Sequence, residues 1–237
     1  MNPPLDPPAR ALAIGAHPDD VELNCGATLA KWAGAGCEVS HLICTDGSKG
    51  SWDPGEDRTR LIVTRQAEQR AAAAALGATG ECVFLDAVDG ELEDTVERRR
   101  EIASWIRRLR PDVVFGHDPW KRYRLHPDHR AAGFLTVDAV VAARDPHFFA
   151  DLGVAHHRPS ELWLFEADEP DHVEDVTGFV DTKVDALLAH RSQWRSTYGI
   201  LGDHGIDDEL GIAAFRARIA SETDAVGGET FHRIVTL

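Results

Sequence analysis

Five short apolar runs recur along this chain, and a segment with helical spacing follows each of the first four. The runs lie near 11–16, at 39–44, at 82–85, near 112–116 and at 162–165. Between them, a helix near 24–35 ends at Gly34 and Gly36. A long Ala-rich helix reaches Leu76 and stops at Gly77, and a third helix carries Ile102, Trp105, Ile106 and Leu109 on one face before Pro111. A fourth begins at Pro127, a good first-turn residue, and runs to about 143. Strands this short and apolar, alternating with helices, predict an α/β fold: a mostly parallel sheet of about five strands with helices on both faces.

After about residue 170 the pattern loosens. Val180, Val184, Leu187 and Leu188 predict one more helix, 207–222 another, and Phe231 to Val235 a last strand. This part reads as an extension packed on the same domain, so that 1–237 form one unit with an irregular, proline-rich arm over 1–9.

The net charge of −15 argues against a nucleic-acid backbone or an anionic membrane surface as partner, because both need clustered Lys and Arg. No run approaches the roughly 20 apolar residues of a membrane span, and the N-terminal residues lack the basic and apolar regions of a signal peptide. The four cysteines, Cys25, Cys37, Cys44 and Cys82, form no C-x-x-C pair, and three lie in or beside apolar stretches. They read as reduced thiols of a cytoplasmic protein.

Two short strings carry the chemistry. Ala16-His17-Pro18-Asp19-Asp20-Val21-Glu22 follows the first strand, and His126-Pro127-Asp128-His129 lies beyond the fourth. In open α/β sheets ligands gather outside the carboxyl ends of the strands. Parallel strands would bring both strings to one rim, where imidazole and carboxylate suit Zn²⁺. Two adjacent aspartates cannot easily meet one ion alike from a tight turn, so one coordinates while the other serves as general base. His126 and His129 share one side of a helical turn, so both reach the metal or one faces the substrate. A catalytic zinc usually has three protein ligands and an open position. His17, Asp20 and His129 meet that count and leave His126 as acid or oxyanion stabiliser.

Plainer readings stand beside these. Asp19 and Asp20 could complement a helix N-terminus, and that is the main role expected of Asp128. His117 and Asp118 either line the site or end a turn, and His156-His157 reads as an exposed pair. Trp52 and Trp120 are either sugar-stacking platforms or loop packing.

At these residues the chain resembles the N-acetylglucosaminyl deacetylase superfamily, the PIG-L/LmbE-like proteins. Both strings match its signatures. Thr45-Asp46-Gly47, Arg65-x-x-Glu68, His190-Arg191-Ser192-Gln193 and Glu229-Thr230-Phe231-His232 match weaker motifs in the expected order. The resemblance covers nearly the whole chain from residue 10 and implies a Rossmann-like fold. It also implies a metal, usually Zn²⁺ with Fe²⁺ as an alternative, on His17, Asp20 and His129. Asp19 would be the general base and His126 the oxyanion stabiliser. Arg65 would hold sugar hydroxyls and Asp89 would contact substrate. Tyr123 stands out of register with the tyrosine that some members place before the second signature.

The expected activity is therefore zinc-dependent removal of an N-acetyl group from an amino sugar. The partner would be a small N-acylated amino sugar, with a homo-oligomer left open. One alternative keeps the metal and cleaves a thiol conjugate, an antibiotic or another N-acyl amine. Another is a non-catalytic sugar- or nucleotide-binding module, weakened by the lack of Gly-x-Gly-x-x-Gly after the first strand.

Overall fold

The computed structural model describes residues 6–200 and 208–237. Part of the arm expected over 1–9, and the first residue of the helix expected over 207–222, lie outside the described residues; residues 6–9 precede the first strand without forming a helix. The elements are β1 (Arg10–Gly15), α1 (Asp20–Gly34), β2 (Glu38–Thr45), α2 (Arg58–Ala75), β3 (Cys82–Ala87), α3 (Val96–Leu109), β4 (Val113–His117) and α4 (Pro127–Arg144). There follow β5 (Glu161–Phe165), β6 (His172–Glu174), α5 (Val180–Ala189), α6 (Asp208–Val226) and β7 (Glu229–Ile234).

They form a seven-stranded sheet in the order β3-β2-β1-β4-β5-β7-β6. The first five strands of that order are parallel, and β7 and β6 join antiparallel. The sheet thus exceeds the expected five strands by two at its edge: β7, which matches the last strand expected over Phe231 to Val235, and β6, which was not expected. The three residues of β6 are too few to show alternation. In β7 the inward side chains include Glu229 and Arg233, polar groups that carry no apolar signal.

Alternation along each strand divides the core between the two faces. Leu12, Ile14, Leu42, Val114 and Leu162 pack under α3 and α4. Ala11, Ala13, Ile43, Phe115 and Trp163 pack on the other face with Val21, Leu29 and Trp32 of α1. There Trp32, Phe115 and Trp163 meet at ring separations of 5.1–5.3 Å. α5 packs against α1 and α2 on this same face.

α1 starts four residues before the expected boundary and is interrupted at Cys25 (φ −141°). The Glu229 carboxylate caps the second stretch, accepting from the N–H groups of Ala27 and Thr28 at 3.1 and 2.8 Å. Only that second stretch was legible from spacing. β1 lies between β2 and β4, and the order of connection reverses there. This switch point leaves a crevice at the carboxyl ends of β1 and β4, where both strings emerge.

Candidate metal centre and active site

His17, Pro18 and Asp19 form the turn from β1 into α1, and Asp20 is the first residue of the helix. Asp19 adopts φ 98° and ψ −22°, the left-handed region, at a cost of roughly 1–2 kcal/mol for a residue with a Cβ. This break in the backbone lets two consecutive carboxylates face different directions. Asp20 turns inward, where its Oδ2 accepts from the His17 N–H at 2.7 Å.

His129 arrives from the first turn of α4. Its Nε2 stands 3.3 Å from His17 Nδ1 and 3.4 Å from Asp20 Oδ1, and His17 Nδ1 stands 3.3 Å from Asp20 Oδ2. Ligands about 2.0–2.1 Å from a tetrahedral zinc are separated by about 3.3–3.4 Å, so this trio has the spacing of a three-ligand face. His17, Asp20 and His129 therefore fit a divalent ion. Among the described residues two other trios of potential ligands come together, His17-Asp89-His126 and His117-His129-Glu166, and each reuses a histidine of the first.

The electrostatics agree. Burial pushes His129 down to about 4, which leaves its imidazole neutral at pH 7. Burial also works to lift Asp20, but His129, His117 and His17 outweigh it and hold the carboxyl well below its usual range. His17 is raised despite its burial, by Asp128, Asp20 and Asp89. A cation on its Nδ1 displaces a proton, so binding there depends on pH. Asp19 is pushed up to about 6 by burial, with Arg65 and His190 pulling the other way.

A cavity of about 390 Å³ opens onto His17, Asp19, Asp20, Asp89, His126 and His129. Asp19 Oδ2 faces the Tyr198 hydroxyl at 3.4 Å and Arg65 Nη2 at 3.7 Å. His126 Nδ1 accepts from the Asp128 N–H at 3.3 Å, which puts the proton of a neutral ring on Nε2. Asp89 Oδ1 lies 3.2 Å from His17 Nε2, and its Oδ2 accepts from the Lys49 N–H at 2.9 Å.

Arg65 is buried and borders the cavity. Its guanidinium donates to the carbonyls of Pro18 (2.6 Å) and Gly47 (3.0 Å). Glu22 anchors the turn from below, accepting from Gln69 Nε2 at 2.7 Å. Tyr123 is exposed, outside the site. Trp52 is also exposed, its indole N–H donating to Ser196 O at 3.2 Å, and Trp120 packs edge-on to Phe134. His156 is exposed as expected, but His157 is half-buried, its Nε2 2.7 Å from Pro111 O. All four cysteines are free, with three buried.

The reading of Asp128 as chiefly a helix-terminus charge is corrected. It is fully buried, its Oδ2 lies 3.0 Å from His17 Nε2, and its two oxygens accept from Gly90 N–H and Leu92 N–H. His117 lines the site from beneath: its Nε2 is 3.3 Å from Asp20 Oδ2 and its Nδ1 is 3.2 Å from Glu166 Oε2. Glu166, paired with Arg124, also lies 4.0 Å from His129 Nδ1. The nearer neighbour of His129 Nδ1 is Arg124 Nη1 at 3.1 Å, a group that can only donate. Spacing along the chain gave no sign of Glu166, Arg124, Gln69 or Tyr198, which reach the site from four different segments.

The profile of the PIG-L family, GlcNAc-PI de-N-acetylase, matches residues 12–140. The chain is 36% identical over 197 residues to the diacetylchitobiose deacetylase of Thermococcus kodakarensis, covering 82% of this chain and 73% of that protein. It is 34% identical over 165 residues to the 1D-myo-inositol 2-acetamido-2-deoxy-alpha-D-glucopyranoside deacetylase of Thermomonospora curvata, spanning 60% of this chain and 55% of that relative. Among solved structures, the N,N'-diacetylchitobiose deacetylase of Pyrococcus horikoshii superposes with a TM-score of 0.82 at 29% identity, over 96% of this chain and 84% of that one.

Proposed function

This chain belongs to the PIG-L family of GlcNAc-PI de-N-acetylases, and from that premise we propose that it is a metal-dependent N-deacetylase of small N-acetylated amino sugars containing glucosamine. One observation carries the reading. His17 Nδ1, Asp20 and His129 Nε2 stand at mutual distances of 3.3–3.4 Å, with the Asp19 carboxylate beside them in the same cavity. Zn²⁺ suits this donor set of two imidazoles and one carboxylate, and Fe²⁺ is the alternative.

A divalent ion held there supplies Lewis acidity and lowers the pKa of water toward neutrality. The remaining work belongs to the chain. Asp19 accepts the proton of the attacking water, and its burial, which raises its affinity for a proton, suits it to the task. His126 directs its Nε2–H at the carbonyl oxygen as negative charge develops there. Attack forms the new C–O bond, collapse then breaks the C–N bond, and the proton taken up by Asp19 returns to the leaving nitrogen, directly or by way of His126, so that acetate and a free amine result. Asp89 lines the cavity, where it would meet sugar hydroxyls, and Arg65 borders the same cavity.

The test is metal analysis of the purified protein, followed by amine release from N-acetylglucosamine and diacetylchitobiose with and without a chelator. One bound metal and chelator-sensitive release are expected. Metal binding with no release from any N-acetylated sugar would overturn the substrate class, and no metal uptake would overturn the site.

The protein is expected to act in the cytoplasm on small molecules; no helix among the described residues is long and apolar enough to cross a membrane.

A further inference from the structure

We propose that Gln69 and Arg65 form a positioning pair that clamps the Pro18–Asp19 peptide plane and so sets the direction of the Asp19 carboxylate. The inference rests on the reading of Asp19 as the base. The Arg65 guanidinium donates to the Pro18 carbonyl at 2.6 Å. The Gln69 side-chain oxygen accepts from the Asp19 N–H at 2.9 Å. These two backbone groups are the opposite edges of one peptide unit. Arg65 and Gln69 stand one turn apart on α2, an (i, i+4) pair, and so present both halves of the clamp from one helix face.

The clamp answers a specific instability. Asp19 holds φ 98°, which residues with a Cβ rarely adopt. The ring of Pro18 locks its own φ, so the soft motion left in the turn is rotation of the peptide between the two residues. Such a flip relieves the left-handed backbone at Asp19 and re-tilts the N–Cα bond beside which its side chain is set. It also breaks both clamp bonds at once, because each holds one edge of the same plane.

The Gln69 amide is itself held one way round. Its Nε2 donates to Glu22 Oε1 at 2.7 Å and lies 3.2 Å from His41 Nδ1, which leaves the oxygen for Asp19. Gln69 is fully buried and does not line the cavity, so it acts on the reaction only through Asp19. Arg65 does border the cavity, and this separates the two roles open to it. A sugar contact acts on substrate binding, whereas a clamp acts on the chemical step.

The experiment compares Gln69→Met, Arg65→Lys and the double variant with the parent enzyme, on metal content, KM and kcat. Gln69→Met is expected to retain its metal and KM while kcat falls roughly tenfold to hundredfold, the scale of a misplacement near 1 Å. Arg65→Lys is expected to lower kcat at unchanged KM, and the double variant to lose less than the product of the two single losses, because both residues hold one plane. A Gln69→Met enzyme within twofold of the parent kcat, or an Arg65→Lys enzyme altered in KM alone, would overturn the proposal. If Gln69→Met does not fold, Arg65→Lys and its KM-against-kcat split decide. A crystal structure of either variant reads the clamp without activity: an Asp19 φ that turns negative supports it, and one that stays near the parent value overturns it. Inactivity of the parent toward every N-acetylated sugar overturns the functional reading, and the φ of Asp19 then decides the clamp by itself.

Discussion

Asp128 Oδ2 stands 3.0 Å from His17 Nε2, and with Asp89 Oδ1 at 3.2 Å it holds that nitrogen and leaves Nδ1 to face the proposed metal site. A neutral imidazole that donates from Nε2 presents the lone pair of Nδ1, the atom that faces Asp20 and His129. Asp128 also accepts from Gly90 and Leu92, so it ties the Asp89 loop to the turn that carries His17. Asp128→Ala is therefore expected to weaken metal affinity about 10- to 100-fold while leaving all three ligands in place. Competition with a chelator of known affinity measures this; unchanged affinity would show that Asp128 has no part in orienting His17.

Asp19→Asn separates base from ligand. It removes the proton acceptor without touching His17, Asp20 or His129. Metal stoichiometry should stay at the parent value while kcat drops about 10²- to 10⁴-fold. Loss of metal together with activity would reassign Asp19 to the ligand set.

His129→Ala should do the opposite and reduce bound metal. The loss should also appear as lost stabilisation by ligand. Added Zn²⁺ at 100 times its Kd stabilises a folded binder by about 2.7 kcal/mol, which raises Tm. The variant should show little of that rise. A full metal-induced shift in His129→Ala would remove it from the site.

The cysteines should be silent in the native state. Burial pushes Cys37 and Cys82 up to about 12 and raises Cys25 and Cys44 as well. At pH 8 a thiol of that pKa is roughly one part in ten thousand thiolate, the reactive form. A thiol reagent should label almost nothing in folded protein and all four cysteines after denaturation. Fast labelling of the native chain would contradict the packing of β2 and β3.

Glu174 provides a pH test far from the metal. Burial works to raise its carboxyl, but hydrogen bonds from His172 and Lys31 outweigh it and bring the group below the usual range. A carboxylate depressed on folding adds stability that is present above its unfolded pKa and is lost as pH falls through the folded value. Glu174→Gln should thus be less stable than the parent at pH 7, on the order of 1 kcal/mol, and the gap should close in acid. Equal denaturation midpoints at pH 7 would show that the Lys31 contact at 2.8 Å contributes nothing.

Much of this site was legible along the chain. The strings at 16–22 and 126–129 follow β1 and β4, and once those strands are parallel neighbours their carboxyl ends must share a rim. The helix starting at Pro127 likewise follows from local chemistry, since proline suits a first turn. The boundary of α1 was read late because the helix is broken at Cys25, and the carboxylate that caps the break comes from Glu229, about two hundred residues on. β6 escaped because three residues show no alternation, and the start of β7 because its inward Glu229 is polar and satisfied by Lys183, remote in sequence.

Local order in the chain, apolar periods and the two His/Asp strings, determined the layered α/β architecture and the neighbourhood of the His/Asp cluster, because strand and helix patterns are short-range properties. Tertiary structure decided what each polar group does there. Whether Asp128 is a helix-end charge or the partner of His17, and whether Arg65 is a surface side chain or a buried one holding Pro18, depends on the atoms brought within about 3 Å. Those atoms lie 111 and 47 positions away in the sequence. Hydrogen bonds act over a few ångströms of space, and no spacing along the chain encodes which distant group will arrive there.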